Sequence, residues 1–224
     1  MQGALWAGVS GVRVEADALE ALLAETRSLI APEKTTVWWI DPDARPADLH
    51  DRLLALGLRE PADGAALLHS LACTEPPPAG PADVEVRRVE GLDDFVTATE
   101  LAWDAFGTAA ERRAEGRPHL RLEFEAAEDA GVPATFLATL DGRPVGSGRS
   151  IYSPLGVFLI AGAVAPWARR QGVYRALVHA RWLDAAARGT PALVTEAMPE
   201  TSYPILTRLG FERVCSIRRL QDPR

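Results

Sequence analysis

The stretch VAPWARRQGVYRALV, Val164–Val178, decides how the rest of the chain is read. It leaves an apolar run at Val164 and passes Pro166, which ends a strand by removing a ladder donor. It then gathers Arg169, Arg170 and Arg175 around the single Gly172 and continues with helical spacing. A helix N-terminus carries unpaired N–H groups and the positive end of the helix dipole, and together these attract an anion. With a helix starting near Gly172, the amides of Gln171, Gly172, Val173 and Tyr174 would point at such an anion. Gly172 lets a phosphate approach the backbone, and the arginines add charge-assisted contacts. Tyr174 can still donate its N–H, and its steric cost depends on where the ring points. The alternative is an ordinary strand–turn–helix with a solvated arginine pair, and the loop alone leaves both open.

Working outward, the preceding GVFLIAGAV is a continuous apolar run, as expected of a central strand covered on both faces. Before it, ATFLATL and VGSGRSIYS flank Asp141-Gly142 and read as a hairpin. Gly146 and Gly148 in the second strand predict a bulge. Further upstream, DVEVRRV reads as a strand and GLDDFVTATELAWDAF as a helix; a helical region interrupted at Gly116-Arg117-Pro118 follows. Downstream, the helix from Gly172 runs to about Ala187. PALVTEA reads as a strand, SYPILTRLG as a short helix and FERVCSIRRL as a last strand. The predicted order from residue 83 is β-α-α-β-β-β-α-β-α-β.

The proline-rich TEPPPAGPA, residues 74–82, reads as a linker, which divides the chain into an N-terminal part, 1–73, and a C-terminal domain, 83–224. The N-terminal part holds two helices, ADALEALLAETRSLI and a second with Leu49, Leu53 and Leu56, and two strands, TTVWWI and GAALLHSLA. That is a poor independent core, so this half is expected to lean on the rest. Its strand, polar loop, leucine-faced helix and Leu-Gly stop echo the C-terminal ALVTEA…YPILTRLGFER, with Gly57 matching Gly210. A decayed internal duplication is the reading.

Composition narrows the function classes. The net charge is −7 over 224 residues, which argues against a sequence-independent grip on nucleic acid or an anionic membrane. No membrane span and no secretory leader is legible, so a cytoplasmic protein is expected. The two cysteines, Cys73 and Cys215, match no metal-ligand spacing, and no metal is expected. The dinucleotide fingerprint Gly-x-Gly-x-x-Gly is absent, which counts against NAD(P).

Strand, Val-x-Pro, R-R-Q-G-V-Y-R-A-L, helix, strand and the Leu209-Gly210-Phe211 end resemble the GCN5-related N-acetyltransferase (GNAT) superfamily over about residues 83–220. Arg169 and Gly172 match its loop, Gln/Arg-x-x-Gly-x-Gly/Ala; Tyr174 departs from the last position. The resemblance implies a mixed α/β sheet of the acyl-CoA N-acyltransferase type, with the first half as a small, degenerate α/β half-domain. It implies acetyl-CoA as co-substrate. Val164, with Ala163 and Ala165, would meet the pantetheine. Arg169, Arg170, Gln171, Gly172, Val173, Tyr174 and Arg175 would hold the pyrophosphate.

The acid–base groups are less well matched. The family's tyrosine position holds Leu206, and Tyr203, one helical turn earlier, is the candidate substitute acid; packing at the domain edge is its other reading. Glu196, at the end of its strand where neighbouring strands would splay, is the candidate base or ammonium partner. Ser202 is read as a helix N-cap that could also reach the pantetheine. Glu123, Glu125 and Tyr152 are weaker candidates, and His179 is read as structural. Neither cysteine is expected to line the site, so direct attack by a primary amine, small molecule or protein, is the expected mechanism. The alternative is a non-catalytic acyl-CoA sensor or partner module. Few residues follow Phe211, so a strand from the N-terminal half, or from a second subunit in a homodimer, is expected to complete the sheet.

Overall fold

The fold is described from a computed structural model, over residues 6–31, 34–62 and 64–223. The first five residues, part of the leader reading, and residue 224 lie outside the described residues. In chain order the elements are β1 (Trp6–Val9), α1 (Leu19–Leu29), β2 (Thr35–Ile40), α2 (Leu49–Ala55), β3 (Leu67–Cys73) and β4 (Val84–Arg88). Then come α3 (Leu92–Ala105), α4 (Ala110–Gly116), α5 (Leu120–Ala130), β5 (Ala134–Leu140), β6 (Arg143–Ser153) and β7 (Gly156–Val164). The chain closes with α6 (Val173–Ala187), β8 (Leu193–Ala197), α7 (Ser202–Thr207) and β9 (Glu212–Asp222). From β4 on, this matches the predicted order, with the helical interruption falling at the end of α4. Among the described residues no helix is long and apolar enough to cross a membrane.

Contacts divide the chain into two compact units. The first comprises Met1–Leu71, Ala197–Leu206 and Arg213–Arg224; the second comprises Ala72–Glu196 and Thr207–Glu212. In the first unit the strand order is β1-β2-β9-β3. Here β1 and β2 are parallel and β2 and β9 antiparallel, with Trp38 opposite Leu220. The strand that neighbours β9 on each side therefore comes from the N-terminal half of the same chain. Leu19 and Leu23 of α1 and Leu49 and Leu53 of α2 bury their helical faces against Trp38, Ile40, Leu58 and Leu220. Each such side chain contributes about 1.5–3 kcal/mol on burial. Leu220 belongs to β9, so the N-terminal half does borrow part of its core. Strand β1 was not legible in the sequence, because WAGV is short and holds one β-branched residue.

In the second unit the order is β8-β7-β6-β5-β4, antiparallel except for the parallel pair β7–β8. Val84, Phe136, Ala138 and Val145 pack with Val173, Ala176 and Leu177 of α6. Val89 and Leu137 pack with Phe95 and Ala98 of α3 and with Leu120 of α5. The sheet is thus covered by different helices on its two faces, as the apolar runs of β5 and β7 require. Gly146 and Gly148 have a reason beyond the expected bulge. A Cβ on Gly146 would lie 2.7 Å from Val173 Cγ1, and one on Gly148 would lie 2.9 Å from the Arg181 guanidinium. The β6 irregularity itself falls beside Gly146, where β5 steps once from Ala138 to Thr139 while β6 steps twice from Gly146 to Pro144.

Candidate functional site

The run from the end of β7 into α6 brings most of the expected site residues together. Val164 pairs with Gly146 and Ala163 with Ser147 on β6, and Ala165 donates to the Val145 carbonyl at 2.9 Å. Ala163 and Ala165 are buried, whereas Arg169, Arg170, Gln171 and Arg175 are exposed. Helix α6 begins at Val173 with Gly172 as its N-cap, in the left-handed region at φ +81°. The first return bond is Ala176 N–H to Gly172 C=O at 3.0 Å, which leaves the first-turn amides of Val173, Tyr174 and Arg175 without an intrahelical acceptor. Arg170 also sits at φ +65°. For a non-glycine residue that costs about 1–3 kcal/mol, a strain found preferentially at ligand clamps. None of the three arginines has a carboxylate within salt-bridge distance among the described residues. Three such cations around a helix N-terminus are an arrangement suited to an anion, a candidate cradle.

Two features of the cradle come from residues the sequence did not single out. The ring of Tyr174 turns onto β7: a Cβ on Gly162 would lie 2.8 Å from its Cε2. Gly162 therefore makes room for the side chain that departs from the resemblance. Burial pushes the Tyr174 phenol pKa up, with Arg181 opposing it. The segment read as a linker lies against α6. Pro77 C=O accepts from His179 Nδ1 at 2.8 Å, and a Cβ on Gly80 would fall 2.3 Å from Ala176 Cβ. One on Gly172 would fall 2.6 Å from Pro81 Cγ. The glycine of the cradle is thus required by its φ and by Pro81, in addition to any phosphate. His179 has the structural role expected of it.

Beside the cradle, β7 parts from β8. Their ladder holds two pairs, Val157 with Leu193 and Phe158 with Val194. The Thr195 hydroxyl then takes the Leu159 carbonyl at 2.9 Å. Opposite, β7 carries an extra residue: Ser147 to Arg149 on β6 spans two steps, Ala163 to Ile160 spans three. Ala161, inside that bulge, is at φ +50° and exposed, unusual for the middle of an apolar strand. From Ile160 onward the β8-side edge of β7 has no strand partner among the described residues, an edge that can pair with an extended ligand backbone.

The acid–base candidates are placed less tellingly. Glu196 is half-buried on β8, two residues past the last β7–β8 pair. Tyr203 and Ser202 belong to the other compact unit. There the Tyr203 ring packs edge-on against His69, centroids 4.8 Å apart. The His69 pKa is lowered by burial and by Arg213, and its Nδ1 lies 3.1 Å from Ser216 Oγ. The Ser202 hydroxyl accepts from Met198 N–H at 2.9 Å, so it holds the entry to α7 from outside instead of capping within the first turn. Leu206 is buried. Glu123 and Glu125 are exposed on α5, the latter 3.7 Å from Arg121. Tyr152 donates to Asp184 Oδ2 at 2.6 Å. Cys73 is buried, donates to Glu75 C=O and has its thiol pKa raised by that burial, which disfavours a nucleophilic thiolate.

Comparison with known proteins settles the fold. No protein-family model and no curated protein matches the chain. Among solved structures, it is similar to a GCN5-related N-acetyltransferase from Kribbella flavida: TM-score 0.69, 19% identity, covering 94% of this chain and 78% of that one. A second, from Sphaerobacter thermophilus, gives a TM-score of 0.59 at 22% identity, over 92% and 68%. A tandem GNAT protein from the clavulanic acid biosynthesis pathway gives 0.61 at 17%, over 91% and 69%. The chain has the mixed α/β fold of the GCN5-related N-acetyltransferases.

Proposed function

We propose that the chain is an N-acetyltransferase that uses acetyl-CoA to acetylate a primary amine by direct attack in a ternary complex. The observation that carries this is the juxtaposition of the three-arginine α6 N-terminus with the unpaired, bulged edge of β7. The first fits a pyrophosphate, the second an amide-bearing extended chain, and acetyl-CoA joins both chemistries in one molecule. The first-turn amides of α6, with Arg169, Arg170, Gln171 and Arg175, hold the diphosphate; Ala163, Val164 and Ala165 supply backbone to the pantetheine. Bound acetyl-CoA would supply an activated thioester, so the chain's task is largely to position a neutral amine. Glu196 and Tyr203 take the base and acid roles by resemblance alone, and Ser202 a pantetheine contact on the same footing. The half-repeat is read as a decayed duplication; Gly57 and Gly210 share a left-handed backbone, at φ +96° and +92°.

The absence of an acidic residue from β7 and the buried Leu206 favour a second reading, an acyl-CoA-binding module without turnover. A thiol-release assay with acetyl-CoA over a panel of amines decides between them. Release that depends on an amine, slowed in Tyr203→Phe, supports the enzyme and its acid; binding without release from any amine supports the module.

A further inference from the structure

On the α3 face of the second unit lies a cavity of about 220 Å³ that the sequence did not disclose. Its walls include Thr99, Trp103, Phe106, Thr135, Arg149 and Ala161. Ala161 is the bulge residue of β7, so the cavity opens where the candidate coenzyme edge begins. One of its polar groups has hydrogen-bond donors to spare. Arg149 stands 5.0 Å over the Phe95 ring and donates to Thr99 Oγ1 at 3.1 Å. Of the guanidinium's five N–H donors that bond uses one. No carboxylate lies within 4.0 Å of it among the described residues. Burial lowers its pKa, and Glu123 opposes this from a distance. A half-buried guanidinium beside an aromatic ring, at the wall of a cavity and with donors to spare, suits a planar oxyanion.

We propose that this cavity holds the carboxylate of the acceptor, paired with Arg149. The acceptor is then a small carboxylate-bearing amine of amino-acid size. This inference rests on the acyltransferase reading for the word acceptor, but the anion site stands on its own residues. The cavity is below the range of about 300–1,000 Å³ typical of pockets for drug-sized ligands, in keeping with a small acceptor. The protein's net charge of −7 would have pointed the other way, toward a cationic acceptor; the local charge at the cavity outweighs it.

The test uses product-like probes in matched pairs: N-acetylglycine, N-acetylalanine and N-acetylleucine against their neutral carboxamides. Each is titrated into the full chain by calorimetry and by intrinsic tryptophan fluorescence. At least one carboxylate is expected to bind about tenfold or more tighter than its amide, since a charge-assisted hydrogen bond is lost in the amide. Arg149→Gln should bring that ratio to near one, and Arg149→Lys should restore part of it. If Arg149→Gln does not fold, the lysine variant carries the test. Equal binding of carboxylate and amide by the unmodified protein, no binding of any carboxylate, or a preference that survives the Arg149 changes would overturn the proposal. Acetyl-CoA is titrated in parallel. A carboxylate preference without acetyl-CoA binding sinks the acyltransferase reading and keeps the anion site; acetyl-CoA binding without the preference sinks only the anion site.

Discussion

Replacing Gly172 with alanine separates two reasons for that glycine. At φ +81° a side chain is disfavoured by about 1–2 kcal/mol. The new Cβ would also stand 2.6 Å and 2.7 Å from Pro81 Cγ and Cδ, closer than carbon atoms tolerate, so α6 or the Pro81 ring must shift. Overpacking of this kind costs about 1–3 kcal/mol. Together these give a loss of about 2–5 kcal/mol, and at about 2–4 °C per kcal/mol for a chain of this length, a Tm lower by about 4–20 °C. Pro81→Ala removes the two clashing atoms and keeps the Pro81 carbonyl that Val84 N–H uses at 3.2 Å. The double variant should therefore recover about 1–3 kcal/mol relative to the sum of the single variants. Thermal and urea unfolding of the four proteins complete the cycle. Additivity within about 0.5 kcal/mol, or an unchanged Tm in Gly172→Ala, would refute the packing of Pro81 over the cradle. The cycle also guards the binding argument: coenzyme affinity lost in Gly172→Ala counts for the cradle if the loss persists once Pro81 is relieved.

In the first unit, Arg27 donates from Nε and an Nη to the two carboxylate oxygens of buried Asp222, each at 2.8 Å. Arg27→Met should cost about 1–3 kcal/mol, discounted from a fully buried pair because the arginine is partly exposed; a urea midpoint unchanged within error would contradict it. The Tyr152 phenol has its pKa pushed up to about 12 by burial and by its bond to Asp184. The fold favours the neutral phenol, so this contribution is intact below the unfolded value near 10 and is lost as pH rises from about 10 to about 12. Absorbance titration of the phenols should lose a step near pH 12 in Tyr152→Phe, and retention of that step would reassign it.

What was legible follows from what is local. The cradle is written in one continuous stretch, Val164–Val178, and a strand, a proline and a helix with one glycine need no distant partner to be read. The order of elements from β4 onward is likewise a matter of periodicity and turn residues. The cavity beneath α3 is not: it needs the bulge at Ala161, set by the β6–β7 register, and α3 laid across Arg149 and Thr135. An arginine on a strand gives no sign of which helix will cover it. The three adjacent small residues Ala161, Gly162 and Ala163 in an apolar strand were the available signal, since a central strand has little reason to thin out unless something approaches it. Tyr174 and Gly162 make the same point in reverse: the bulky residue in the loop is tolerable because a glycine sits twelve residues earlier. Residues 74–82 looked like a linker from their prolines, but proline limits backbone shape and says nothing about contact, and Gly80 and Pro81 pack against α6.

Calorimetric titration with acetyl-CoA and with desulfo-CoA tests the central claim most directly. Micromolar binding of both is expected, because in the proposed mode the cradle and the β7 edge would meet diphosphate and pantetheine without using the sulfur. Absence of heat with either ligand, from a protein that melts cooperatively, would mean that the arginine-ringed helix end holds no phosphate and that the likeness to the N-acetyltransferases stops at the fold.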